Sequence, residues 1–209
     1  MSTFGTIKQR VADEMKRGEI TASATAVQNS VLDSIKHYET RRMWFNEVVN
    51  ASQVTVANTP TLSAMPTGLV RIDSFRITVS GREISLTPWN YQYMDSIDSN
   101  QWSSIPEHYA VYADKIRLYP RPNASYTCTI SFIKRLTEVS ASATTGATNA
   151  WVNECEPVIR NYAKGLLFQN ELRNYNEAAY WFSESEREFK ELQKETVGRS
   201  SGYVLPTKF

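Results

Sequence analysis

The sequence is short of the residues that most covalent and metal chemistry requires. Among 209 residues there are two cysteines, Cys128 and Cys155, and neither falls in a CxxC or other metal-ligand spacing. A disulfide framework and a cysteine-built zinc site are thereby excluded, and both thiols read as ordinary buried or half-buried side chains of a reducing compartment. Histidine is equally scarce: His37 and His108 are the only two, and neither sits in HExxH. The eight glycines are dispersed and build no GxxxxGK[ST], GxGxxG or GxSxG segment, so no phosphate cradle or nucleophile elbow is present. No apolar run approaches the ~20 residues that cross a bilayer, and the first residues lack the apolar stretch of a signal peptide. The expectation is a soluble protein made in the cytoplasm, with no membrane partner. A net charge of +1 lacks the clustered Lys and Arg that tight non-specific DNA binding needs.

Carboxylates and aromatic residues are plentiful. Glu184, Glu186, Glu188 and Glu191 fall on one helical stretch and read as a solvated face rather than an acid/base pair. Glu186 precedes Lys190 by four residues, a spacing that supports a helix by a few tenths of a kcal/mol. Glu154 and Glu156 fall in a helix's first turn, where the macrodipole favours negative charge. No set of convergent polar groups emerges, so the chain is read as no enzyme, with no catalytic residue, cofactor or metal. Trp44, Trp89, Trp102, Trp151 and Trp181, with eleven tyrosines, leave two readings open. They pack the core and hairpins, or they serve as anchors at protein interfaces, where Trp and Tyr are enriched. Base stacking on Tyr109, Tyr112 and Tyr119 lacks an accompanying basic-aromatic motif.

Periodicity orders the chain. Phe4, Ile7, Val11 and Met15 predict a helix capped by Thr3 and stopped at Gly18. Val27, Val31, Ile35 and Tyr38 predict a second, from about Ala22 to Arg42, closed by Trp44 and Phe45. Strands follow around Val48, Val54 and Val56, then over 69–79 and 82–86 as a hairpin about Ser80-Gly81. Pro88 fits the first turn of a short helix through Trp89, Tyr93 and Ile97. A second hairpin, 109–112 with 115–119, turns at Ala113-Asp114 and ends at Pro120 and Pro122, and 126–134 reads as a third strand of that group. The small, polar stretch 140–148 reads as an exposed loop. A helix beginning at Asn149 or Asn153 tolerates Pro157 only in its first turn. The last helix spans about Asn176 to Glu195 and buries Ala178, Trp181, Phe182, Phe189 and Leu192. Residues 199–202 read as a linker, and Tyr203 to Phe209 as an extended tail.

Helices, then strands, then helices predict an α+β fold. Residues 1–46 and 149–196 form a helical bundle, 47–148 an inserted antiparallel β-domain with a short helix, and 197–209 the C-terminal tail. Tyr203, Val204, Leu205, Pro206 and Phe209 are the candidate binding residues, since an apolar extended segment adds to a sheet edge or docks in a groove.

Several stretches, taken in order, resemble the head-to-tail adaptor (connector) family of short-tailed bacteriophages. They are residues 38–42 (YETRR) with 44–47 (WFNE), 71–74 (RIDS) with 86–88 (LTP), 106–112 (PEHYAVY), 116–122 (IRLYPRP), 131–136 (SFIKRL), 149–151 (NAW) and 206–209 (PTKF). Each is weak alone, and their collinearity over almost the whole chain carries the resemblance. It implies a structural virion protein, assembled in the host cytoplasm, that forms a homo-oligomeric ring matched to the portal's twelvefold symmetry. The ring would bind the portal protein above and a tail nozzle or tube protein below. Genomic DNA would pass through unread, and the tail from about Tyr203 to Phe209 would reach into grooves between portal subunits. The alternative is another head-closure or tail-completion protein of the virion.

Overall fold

The computed structural model describes residues 2–17, 22–139 and 148–200. The expected stop at Gly18, most of the expected 140–148 loop and the tail from Tyr203 to Phe209 lie outside them. Six helices and nine strands follow along the described chain. Helices α1 (Phe4–Arg17) and α2 (Ala24–Tyr38) precede strand β1 (Glu47–Val54), β2 (Leu69–Val79), β3 (Arg82–Ser85) and β4 (Thr87–Pro88). Then come α3 (Tyr91–Ile97), β5 (Ser103–Ser104), β6 (His108–Tyr112), β7 (Lys115–Tyr119), β8 (Arg121–Pro122) and β9 (Thr127–Lys134). Helices α4 (Ala150–Glu154), α5 (Glu156–Asn170) and α6 (Tyr175–Ser200) complete the order. The protein is α+β, in two compact units: a helical unit of Met1–Asn46 with Arg135–Phe209, and a β unit of Glu47–Lys134.

In the helical unit, α1 begins where Thr3 Oγ1 accepts from the Thr6 amide at 3.2 Å. Its whole apolar stripe, Phe4, Ile7, Val11 and Met15, is buried. Helix α2 starts two residues later than its periodicity predicts, because Ser23 caps it by accepting from the Ala26 amide. It also ends at Tyr38 and not at Arg42. The reason is Asn46, buried in a 3-10 turn over Trp44–Asn46. Its side chain accepts from the Met43 amide and donates to the Arg41 carbonyl, each at 2.8 Å, which satisfies the helix exit with a turn.

Helices α1, α2, α4 and α6 all pack on α5. Asn149 caps α4 through the Val152 amide, and the helical path breaks at Cys155 before restarting at Glu156. Pro157 is the second residue of α5, where its missing N–H has no intrahelical acceptor to serve. Helix α6 is longer than expected. Residues Arg199 and Ser200, read as linker, are helical, and Arg199 reaches back to Glu195 while its guanidinium covers the Trp44 ring at 4.4 Å. An i,i+4 ion pair and a cation–π contact carry the helix into residues read as linker.

The β unit holds a four-stranded antiparallel sheet ordered β1-β9-β2-β3. Strand β9 is thus not a third member of the β6–β7 group but the partner of both β1 and β2. Pro120 and Pro122 remove two ladder donors after β7, and Cys128, Ile130 and Phe132 on one face of β9 are buried, as suits a strand paired at both edges. Both hairpins turn on two residues with positive φ, Ser80 and Gly81, then Ala113 and Asp114, as type I′ turns demand. Pro88 lies in β4, parallel to β6, and not in a helix. Asn90 starts α3 instead, its side chain accepting from the Gln92 and Tyr93 amides. The second sheet is β4-β6-β7, and Leu62, Phe75, Ile77, Tyr109, Ile116 and Leu118 fill the core beside β9.

Asn46→Ala leaves the Met43 amide and the Arg41 carbonyl without their partner. The expected result is a loss of about 1–3 kcal/mol in urea-induced unfolding; a midpoint equal to the parent's would show the exit turn to be held by packing alone.

Candidate assembly surfaces

Neither histidine belongs to a reactive cluster. His37 stacks on Tyr162 with ring centroids 4.4 Å apart, and its Nδ1 lies 3.1 Å from the Tyr162 hydroxyl. Burial, helped by the charge of Arg41, holds its pKa below the usual value. The His108 ring lies flat on Trp89, with centroids 3.6 Å apart. Cys128 and Cys155 are fully buried, and burial pushes their thiols up to about 11 and about 12. Among the described residues no three His, Cys, Asp or Glu side chains stand close enough to hold a metal ion. No described helix is long and apolar enough to cross a membrane.

The structure divides the five tryptophans by role. Trp151 is fully buried in the helical core, against Phe45. Trp44 and Trp181 are half-buried, one beneath Arg199 and the other beneath Lys164, whose Nζ lies 3.3 Å from the ring centroid. Trp89 and Trp102, with Tyr93 and Tyr112, are exposed. All four belong to the β unit, on and around α3 and the β6–β7 hairpin. Tyr109 is buried against Phe75, so Tyr109, Tyr112 and Tyr119 make no common stacking platform.

A buried ionic clamp fixes this aromatic region. Asp98, only 4% exposed, accepts from Arg117 Nη2 at 2.8 Å and from Arg121 Nε at 3.0 Å. Arg117 also reaches Asp95, and its guanidinium lies 5.2 Å from the centre of Tyr91, itself stacked on Tyr112 at 4.1 Å. One carboxylate thus holds the end of α3 onto β7 and β8. Rigid, partly exposed rings over an ion-paired base are the sort of side chains that anchor protein interfaces at low entropic cost. Sequence reading missed Asp98 entirely. The available signal was a pair of i,i+3 acids, Asp95 and Asp98, and a pair of i,i+4 bases, Arg117 and Arg121, with no local hint that they meet.

The helical unit has its own network. Glu156 opens α5 at the macrodipole's positive end and also accepts from Ser2 and Arg10, while Arg160 bridges it to Glu14. Glu14 in turn pairs with the buried Lys164 at 2.8 Å. Burial opposes the Glu156 charge, yet the hydrogen bonds from Ser2 and Arg10 and the two arginine charges outweigh it and hold the carboxyl below its usual range. The acidic run on α6 is mostly satisfied along its own helix: Glu184 and Glu188 by Arg187, Glu191 by Lys194. Glu186 lies 3.1 Å from the Tyr38 hydroxyl, a cross-helix contact that the Lys190 spacing did not foretell. The candidate tail residues Tyr203, Val204, Leu205, Pro206 and Phe209 lie outside the described residues.

Compared with known families, residues 2–206 match the model described as SU10 adaptor protein. No curated protein shows significant similarity to the chain.

Asp98→Ala strands Arg117 and Arg121 over a buried site. Removing one partner of such a group costs about 3–5 kcal/mol, and chemical unfolding of the β unit should show a loss in that range; less than about 1 kcal/mol would mean that water replaces the carboxylate. For Glu156 the folded pKa is depressed below its ordinary 4.5. The associated stability is therefore complete above that value and lost as pH falls through the lower folded pKa. Urea midpoints followed below pH 4.5 should fall more steeply for the parent than for Glu156→Gln; parallel curves would contradict this assignment.

Proposed function

The chain belongs to the SU10 adaptor protein family, and on that premise we propose that it is the head-to-tail adaptor of a tailed phage, forming a ring below the portal that joins it to the tail nozzle or tube. The chain is a phage adaptor, a structural component of the virion that works by contact with other virion proteins. The observation that carries the proposal is the extent of the match, which spans both the helical and the β unit.

Physical reasoning supports each part. A closed ring is a heterologous assembly, so one chain must present two different complementary surfaces. The exposed rings of Trp89, Tyr93, Trp102 and Tyr112 give the β unit anchors for a protein partner. The tail residues Tyr203, Val204, Leu205, Pro206 and Phe209 supply an apolar segment that would dock in grooves of the portal. Repetition around the ring, at the portal's twelvefold symmetry, multiplies a modest contact into a firm hold through effective concentration. The channel left at the centre would pass genomic DNA without reading it, and the near-neutral charge of the chain suits such passage. Assembly would take place in the host cytoplasm.

Truncation before Tyr203 tests the tail. The shortened protein should keep the parent's circular dichroism and unfolding midpoint and lose binding to portal rings in sedimentation. Full binding would refute the tail's role. Cross-links to tail proteins alone, with none to the portal, would favour a tail-completion protein instead.

A further inference from the structure

The helical unit carries two surface features that its own packing leaves unused. One is a groove of about 460 Å³ between α1 and α2, lined among others by Gly5, Lys8, Ala12, Lys16, Ala24 and Gln28. Its two cations are not neutralised by any acid among the described residues. Lys8 Nζ donates to the uncharged Gln28 Oε1 at 3.1 Å and lies 4.7 Å from the Phe4 ring centre, and exposed Lys16 forms no ion pair among the described residues. The other feature is the corner between α5 and α6. Residues 169–177 are all exposed there, and three apolar side chains stand out at or beside the corner: Leu172 at 40%, Tyr175 at 66% and Tyr180 at 53%. Its charged side chains are Glu171, Arg173 and Glu177, two acids to one base, and none forms an ion pair among the described residues.

We propose that the α5–α6 corner of one copy seats in the α1–α2 groove of the next copy. The inference rests on the ring reading and assigns surfaces to it. The groove belongs to α1 and α2 and the corner to the turn joining α5 and α6, so the two features share no residue, as a head-to-tail contact requires. Small side chains at Gly5, Ala12 and Ala24 leave room for bulky ones, and the corner supplies Leu172, Tyr175 and Tyr180. Charge selects the same pairing: among the described residues Lys8 and Lys16 are unneutralised on one surface, and Glu171 and Glu177 on the other. Such complementarity sets orientation and rejects wrong partners, while buried tyrosines supply most of the hold.

Charge exchange provides the test, with assembly on purified portal rings measured by native mass spectrometry. Lys8→Glu with Lys16→Glu, and separately Glu171→Lys with Glu177→Lys, should each weaken ring formation at least about tenfold. The chain carrying all four substitutions should recover most of it. All the substituted side chains are exposed or half-buried, so each monomer should keep the parent's circular dichroism. If either two-substitution variant assembles like the parent, or the combined chain recovers nothing, the contact is wrong while the ring stands. Loss of portal attachment with ring formation intact would put a different protein in the groove and overturn the proposal. A parent chain that forms no ring at all would remove the ring reading itself.

Discussion

The Tyr38 hydroxyl, on a ring with no exposed surface, lies 3.0 Å from Ser185 Oγ, and Ser185 Oγ donates to the Val158 carbonyl at 2.8 Å. The same ring stacks on Phe189 at 4.8 Å. One side chain at the end of α2 is thereby bonded to α6 and, through Ser185, to α5. Burial pushes its pKa up and keeps the phenol protonated, which preserves the donor this chain of bonds needs. The helical unit is discontinuous in sequence, with the whole β unit lying between its two parts. Its apolar stripes make collapse favourable, but directional bonds of this kind choose which faces meet.

The rest of the helical unit follows from that closure. With α2 and α6 both held to α5, the ionic series Arg10, Glu156, Arg160, Glu14 and Lys164 ties α1 to α5, and its Glu156 and Lys164 are too buried to be left unpaired. The β unit obeys the same logic on a smaller scale, with Asp98 fixing α3 against two arginines. In both units the most buried carboxylates are spent on internal order, and several aromatic side chains, Trp89, Tyr93, Trp102, Tyr112, Tyr175 and Tyr180 among them, are left exposed. A protein built this way is suited to being gripped and to gripping, as a member of an adaptor family must be.

Much of the fold was legible because its signals are local. The stripe Phe4, Ile7, Val11 and Met15 repeats at helical spacing, and β2 ends at the Ser80-Gly81 turn. The resemblance to phage adaptors was likewise legible, from short segments in a consistent order. What was not legible depended on distant partners. The placement of β9 between β1 and β2 is decided by pairings with strands distant in sequence, among them Val48 with Phe132 and Ile72 with Phe132. The length of α6 depends on Arg199 finding Trp44. Asn46 and Asp98 carry no local signal of their roles, because their partners are backbone groups and arginines that only the folded chain brings near. The tryptophans could not be sorted from composition, since core and interface draw on the same residue type.

The central claim is that this chain works as one segment of a ring, and imaging it together with portal protein by electron microscopy, averaged about the symmetry axis, tests that most directly. The account predicts a closed ring of copies on one face of the portal, with an open central channel. Particles showing bare portals beside free single copies would contradict it.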